Sequence, residues 1–158
     1  MSYQIADQPV DSTLRDYVVR PTLPLLATMM CGAWLAWPWF AFNAIAIGSP
    51  TRRREVALCA AAFAATLGLA LVVLVLFRAG VIPNGLPLRF ALLAITAFKL
   101  AISYYLVKIQ ERTFHVYTYY GGPVRDARRL LSVGWIARGL VLGLIDHPLW
   151  VIVIGGVL

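Results

Sequence analysis

The sequence holds few residues whose chemistry would matter inside a bilayer, and Lys99 is the first of them. It lies in an apolar stretch, with Thr96 and Ser103 on the same face of the predicted helix. A lysine near the middle of a membrane costs about 3 kcal/mol on insertion scales, so it needs a polar partner or a wet cavity. We therefore expect Lys99 to face the interior of a helical bundle.

Two charged residues late in the chain are the candidate neighbours of Lys99. Asp146 lies in the last apolar stretch, and Arg138 precedes it by about two helical turns. If the last helix enters the membrane near residue 133 or later, Asp146 approaches Lys99 and a buried ion pair is feasible. If it enters near residue 130, Arg138 lies at the depth of Lys99. The two cations then need an anion, a lipid headgroup or an acidic neighbour from another chain. The sequence leaves both arrangements open and favours the first.

No pattern in the sequence indicates catalysis, a metal site or a cofactor. His115 and His147 belong to different depths of the predicted bundle, so one subunit cannot use both as haem ligands. A phosphate-binding glycine loop, a Ser/His/Asp set, paired carboxylates and an HExxH motif are absent. We therefore predict no enzymatic activity, no cofactor and no metal. Asn43, in the first apolar stretch, is interpreted as a residue that forms hydrogen bonds between helices.

The composition indicates a membrane environment. Apolar residues make up 61% of the 158-residue chain and charged residues only 13%, about half the usual share. So few charges could not solvate the surface of a soluble domain. The net charge of +7 does not indicate a nucleic-acid partner, because no folded domain is available to present a basic face. Arginines in short loops are better explained by membrane orientation.

Four apolar segments predict an all-α polytopic membrane protein, with about four transmembrane helices in an antiparallel bundle. A polar N-terminal tail, residues 1–22, precedes them and could form a short interfacial helix. The remaining residues, 23–158, form the predicted transmembrane domain. Its spans are 23–47 with a kink at Pro38, 55–77, 88–107 with a helical extension to residue 120 in the cytoplasm, and 130–158.

Small residues recur every fourth position in two of these helices. Ala60, Ala64 and Gly68 form such a column in the second helix. Gly139 and Gly143 form a pair in the fourth. In a bilayer, small residues at this spacing let helix backbones approach closely. We therefore predict that these are helix-packing positions.

Lysine and arginine predict which side of the membrane each loop faces. Residues 48–54 and 108–129 carry eight of them, whereas the N-terminal tail and the loop after the second helix carry four. Cytoplasmic loops are enriched in these residues, so the two basic loops are predicted to be cytoplasmic and both termini outside. If the first segment is re-entrant, the N-terminus lies inside instead. Short loops, and the absence of a signal peptide at Met1, favour a bacterial inner membrane.

These features favour an accessory or scaffold subunit of a larger membrane complex, assembled through helix packing and intramembrane polar contacts. The expected partners are the lipid bilayer and other membrane subunits or copies of the chain, with anionic lipid at Arg125, Arg128 and Arg129. The alternative is a homo-oligomeric channel or transporter with an anion-favouring path near Lys99 and Arg138. A third hypothesis, a membrane enzyme that binds a lipid phosphate through these cations, has less support.

Overall fold

The computed structural model describes residues 12–145 and 147–155, which contain helices and connecting segments but no strand. The predicted all-helical class is therefore confirmed. A short 3-10 turn, Arg15–Tyr17, comes first. The α-helices that follow are α1 Thr22–Met30, α2 Ala33–Ile47, α3 Arg52–Arg78, α4 Leu86–Tyr119, α5 Arg128–Leu144 and α6 Pro148–Ile154.

Two helices, α3 and α4, are long and apolar enough to cross a bilayer. At 1.5 Å per residue, α3 is about 40 Å long and α4 about 51 Å long. Cys59 and Ala62 of α3 share a buried cluster with Leu106 and Val107 of α4. The helix α4 runs without a break to Tyr119, so the third predicted helix continues as far as its pattern indicated.

The first apolar segment is two helices rather than the single kinked helix predicted over residues 23–47. The helix α2 continues through Pro38, and the chain breaks instead between Met30 and Ala33. Gly32, within this break, has a φ of +97°. This is a left-handed value that residues with a Cβ rarely adopt, so a regular helix cannot run through it. The break is therefore set by Gly32, while Pro38 is accommodated inside α2.

Together α1 and α2 form a hairpin that enters the bundle and returns to the same end. Val18, which precedes α1, and Ile47, which ends α2, are both buried in one cluster with Tyr117 of α4. Between them, Gly32 lies at the tip of the hairpin, beside Ile154 of α6. The chain before α1 and the chain after α2 are therefore neighbours, and the segment does not run from one end of the bundle to the other.

The segment before α1 lies at the same end of the bundle as the chain after α4. The Tyr117 hydroxyl donates a hydrogen bond to the Arg15 carbonyl oxygen at 2.9 Å, and the Arg125 amide donates to the Val18 carbonyl oxygen at 2.7 Å. The predicted topology puts these two segments on opposite sides of a membrane. Here the two segments are in direct contact, a geometry that a re-entrant first segment would also give.

The fourth predicted span is also two helices, of 17 and seven residues. Gly134 of α5 lies against the side chain of Cys31, at the tip of the α1–α2 hairpin. Beyond it, α5 continues to Leu144. The end of α6 then returns to the same tip, where Ile154 approaches Gly32. The last apolar segment therefore folds back into the bundle, and its second half ends near the middle of α4.

Candidate functional site: helix ends in the centre of the bundle

Lys99 lies where the end of α6 meets the α1–α2 hairpin. It is 3% exposed, and its Nζ donates hydrogen bonds to the carbonyl oxygens of Ile152, Val153 and Gly155 at 2.6, 3.2 and 2.9 Å. The last carbonyls of a helix have no donors within that helix. An ammonium group has three N–H donors, which matches these three acceptors. Lys99 therefore caps α6 and places its charge at the negative end of the helix dipole.

Gly32 allows the hairpin to approach this end of α6. A Cβ at position 32 would overlap the carbonyl oxygen of Ile154, and the left-handed backbone would itself disfavour any residue that has one. The tip of the hairpin and the last turn of α6 therefore pack backbone to backbone. Gly32 is not among the sequence-predicted site residues, although a glycine between two apolar segments is a signal for a break.

Arg138 makes a corresponding contact at the end of α1. Its guanidinium donates to the carbonyl oxygen of Met30, the last residue of α1, at 2.8 Å. The contact with Met30 places Arg138 near the tip of the hairpin, which also packs against the end of α6 that Lys99 caps. Main-chain carbonyls contact both cations. Asp146 lies outside the described residues, so its pairing with Lys99 stays a prediction.

One turn from Lys99, a buried hydroxyl cluster joins α4 to both helices of the hairpin. Ser103 Oγ accepts a hydrogen bond from Trp37 Nε1 at 3.1 Å and lies 2.9 Å from Thr28 Oγ1. Thr96, on the other side of Lys99, is half-buried. The structure therefore continues the polar face predicted on α4, and it adds Thr28 and Trp37 from the hairpin.

A second polar cluster lies two turns further along α4. Asn43 Nδ2 donates to Gln110 Oε1 at 3.1 Å, and Asn43 Oδ1 accepts from the Val19 amide at 3.0 Å. Gln110 Nε2 donates to the Phe40 carbonyl oxygen at 2.8 Å. Asn43 and Gln110 are fully buried, so these hydrogen bonds lie away from water and fix the register of α2 against α4. Gln110 was not among the residues singled out from the sequence.

A buried carboxylate, also missed from the sequence, lies in the first turn of α3. Glu55 Oε1 accepts hydrogen bonds from the hydroxyls of Ser49 and Thr51. The helix dipole favours a negative charge in the first turn and disfavours a positive one. Glu55 therefore offsets part of the repulsion between the dipole and Arg52, Arg53 and Arg54. Glu55 Oε2 and the hydroxyl of Thr66 are buried without a hydrogen-bond partner among the described residues.

The predicted small-residue columns lie on the outer surface of the described chain. A Cβ added at any of their glycines would meet no atom of another segment within 4 Å. The glycine of α5 that does pack is Gly134, where a Cβ would overlap the side chain of Leu35. The exposed positions are Ala60, Ala64, Gly68, Gly139 and Gly143.

The arginines predicted to bind anionic lipid line one cleft at the basic end of the bundle. Arg125, Arg128 and Arg129 border a cleft of 770 Å³. The Arg125 guanidinium lies 5.2 Å from the centre of the Tyr17 ring, within cation–π range. Arg128 forms an ion pair with Asp126, with 3.6 Å between Nε and Oδ1. The apolar wall of the cleft includes Val19, Trp39, Phe42 and Leu130.

The two histidines lie apart and have ordinary surroundings. His115 is exposed near the end of α4, and its ring is in edge contact with that of Phe114. His147 Nδ1 accepts a hydrogen bond from the Leu149 amide at 3.2 Å and so caps the start of α6. The described residues contain no group of three His, Cys, Asp or Glu side chains placed to hold a metal ion.

No protein-family model matches this chain, and comparisons with curated proteins and with solved structures give no significant match. The function must therefore be inferred from the geometry of the chain. Three features of that geometry are relevant to the function: the exposed small-residue columns, the two cations that donate to carbonyls at helix ends, and the concentration of arginine at one end of the bundle.

Proposed function

We propose that this chain is an accessory or scaffold subunit of a larger membrane complex, held there by contacts between helices. The exposure of the small-residue columns on α3 and α5 is the observation that carries this proposal. Small side chains permit close approach and van der Waals packing of a second helix in lipid. The inward face of α3 uses other residues, among them Cys59, Ala62 and Ala70, so the column of Ala64 and Gly68 is left for a partner.

The geometry gives less support to a channel or transporter with an anion path near the central cations. The three N–H donors of Lys99 are already matched by carbonyl oxygens of α6, and Arg138 donates to Met30. A cation engaged in this way attracts a passing anion weakly, since the anion would have to displace its hydrogen bonds.

We also propose an orientation in which α3 and α4 cross the bilayer and the α1–α2 hairpin is re-entrant. Ten of the 14 Lys and Arg residues then lie at the end that carries the N-terminal segment, and only Arg78 and Arg89 lie at the other end. The remaining two are the central Lys99 and Arg138. The enrichment of positive residues on the cytoplasmic side assigns the basic end to the cytoplasm of a bacterial inner membrane.

Anionic lipid at the cleft of Arg125, Arg128 and Arg129 is part of this proposal. Guanidinium groups suit the phosphate of a headgroup, and apolar residues such as Trp39 and Phe42 suit the start of an acyl chain. A bound lipid would fill the cleft and cover its apolar wall.

Extra bulk in the small-residue column tests the scaffold proposal. Ala64→Leu should reduce the share of the chain that purifies in a complex in mild detergent at least threefold, because it separates the helices. Ala94→Leu is the matched control, since it makes the same change on an exposed face of α4 and should leave assembly intact. A wild-type chain that purifies as a monomer would contradict the proposal, and a homo-oligomer with a central hole would favour the channel.

A further inference from the structure

A second basic cleft, separate from the one at Arg125, lies between the start of α3 and the basic end of α4. It has a volume of 280 Å³. Arg54 lines it from α3, and Lys108 and Arg112 line it from α4. The walls between these cations include Tyr105 and Ile109. Three cations from two helices therefore share one concave surface.

Acidic neighbours neutralise only part of this charge. Lys108 pairs with Glu111, with 3.0 Å between Nζ and Oε2. Neither Arg54 nor Arg112 forms an ion pair with another described residue. Glu55 follows Arg54 in sequence, but its carboxylate is buried and accepts hydrogen bonds from hydroxyls of the loop before α3. The two guanidinium groups thus give the cleft a net positive charge.

The cleft lies at the boundary of the apolar part of both helices. No charged residue occurs in α3 between Glu55 and Arg78. In α4, Lys99 is the only charged residue between Arg89 and Lys108. If these apolar stretches occupy the hydrocarbon layer, the cations of the cleft lie at the height of the lipid headgroups.

We propose that this cleft binds the phosphate group of an anionic membrane lipid. The planar guanidinium groups of Arg54 and Arg112 can each donate two hydrogen bonds to phosphate oxygens, and Lys108 adds a point charge. Tyr105 and Ile109 offer apolar surface within the cleft, and Tyr105 precedes Lys108 in α4, on the side where the acyl chains would begin. Free phosphate has the same oxygen chemistry, but it would gain nothing from that apolar surface or from the position at the membrane boundary.

Lipid retention in native mass spectrometry tests this site. The detergent-purified chain is supplied with phosphatidylglycerol or with phosphatidylcholine, and the bound lipids are counted. The double variant Arg54→Gln/Arg112→Gln should bind one phosphatidylglycerol fewer, with at least a fivefold loss of that species. The control Arg52→Gln/Arg53→Gln removes the same charge from exposed positions outside the cleft, and it should lose less than twofold.

Three results would overturn the proposal. Unchanged phosphatidylglycerol binding in the cleft variant would show that the cleft holds no lipid. Equal losses in the two double variants would show a general effect of surface charge. Displacement of the lipid by millimolar inorganic phosphate would identify free phosphate as the ligand. All the substituted arginines are exposed, so folding should be retained, as circular dichroism can verify; if the cleft double variant fails to fold, the two single variants permit the same comparison.

Discussion

Burial of Lys99 is tolerated because three carbonyl oxygens of α6 accept hydrogen bonds from its ammonium group. A helix end carries a partial negative charge of about half an electron, so it can replace a carboxylate as the partner of a buried cation. The same contacts attach α6 to α4. A seven-residue helix is too short to be stable alone, so its position depends on these hydrogen bonds together with its packing against the hairpin tip.

Lys99→Met should release α6 from the bundle. The substitution removes the hydrogen bonds to Ile152, Val153 and Gly155 and leaves their carbonyls without the cation. We expect a loss of about 2 kcal/mol in the free energy of unfolding, the usual range for hydrogen bonds to a charged group. Val153 is 1% exposed, so Val153→Cys should react with a maleimide much faster once α6 detaches.

Two features of this experiment make it specific. The labelling uses a chain in which Cys31 and Cys59, both free thiols, are replaced by alanine. Lys99→Arg keeps a donor of the same charge and should preserve most of the protection of position 153. Unchanged stability and unchanged labelling in Lys99→Met would show that the contact does not hold α6 in place.

At this scale the sequence predicted part of the central site. A buried, polar face of α4 around Lys99 and Ser103 follows from helical spacing alone. Gln110 continues that face, but the predicted span ended at residue 107, and the turns beyond it were assigned to the cytoplasm. The carbonyl partners of Lys99 could not be found in this way, since any residue supplies a carbonyl and only the fold decides which ones lack donors.

The helical elements were easier to predict than their breaks. A run of 25 apolar residues is long enough for one helix that spans a bilayer, and it is also long enough for a hairpin of two shorter helices. Pro38 is the stronger helix breaker by propensity, yet the break lies at Gly32. At Gly32 the backbone contacts Ile154, and such a contact between distant segments leaves no local pattern. The small-residue columns show a related limit, because the spacing predicts packing but does not identify the partner helix.

Gly32→Ala should destabilise the fold more than the same change at Gly80. Both glycines have a left-handed backbone, with φ of +97° and +74°. Gly80 has open space around it, so alanine there costs only the strain of a left-handed backbone, about 1 kcal/mol in the free energy of unfolding. Alanine at position 32 must also displace the last turn of α6. Thermal unfolding in detergent should show at least twice the loss for Gly32→Ala, and equal losses would contradict the backbone contact.

At the scale of the whole molecule, the proposed re-entrant hairpin would change the meaning of the charge distribution. With a spanning first segment, the two sides carry eight and four Lys and Arg residues. With the N-terminal segment packed against the chain after α4, the two ends carry ten and two. The rule that relates these residues to orientation is the same in both cases. The sequence alone does not supply the number of crossings, which in the proposed orientation depends on the break at Gly32.

Accessibility of three positions distinguishes the two topologies. Thr13, Thr51 and Asn84 are each replaced by cysteine in the chain that lacks Cys31 and Cys59, and intact cells are treated with a membrane-impermeant maleimide. With a re-entrant hairpin, only position 84 reacts from outside, and positions 13 and 51 react after the membrane is opened. With a spanning first segment, position 13 reacts from outside together with position 84. Position 51 is the internal control, because it faces the cytoplasm in both arrangements. External labelling of position 13 would therefore contradict the re-entrant hairpin, since the contact between Tyr117 and Arg15 holds the N-terminal segment at the basic end.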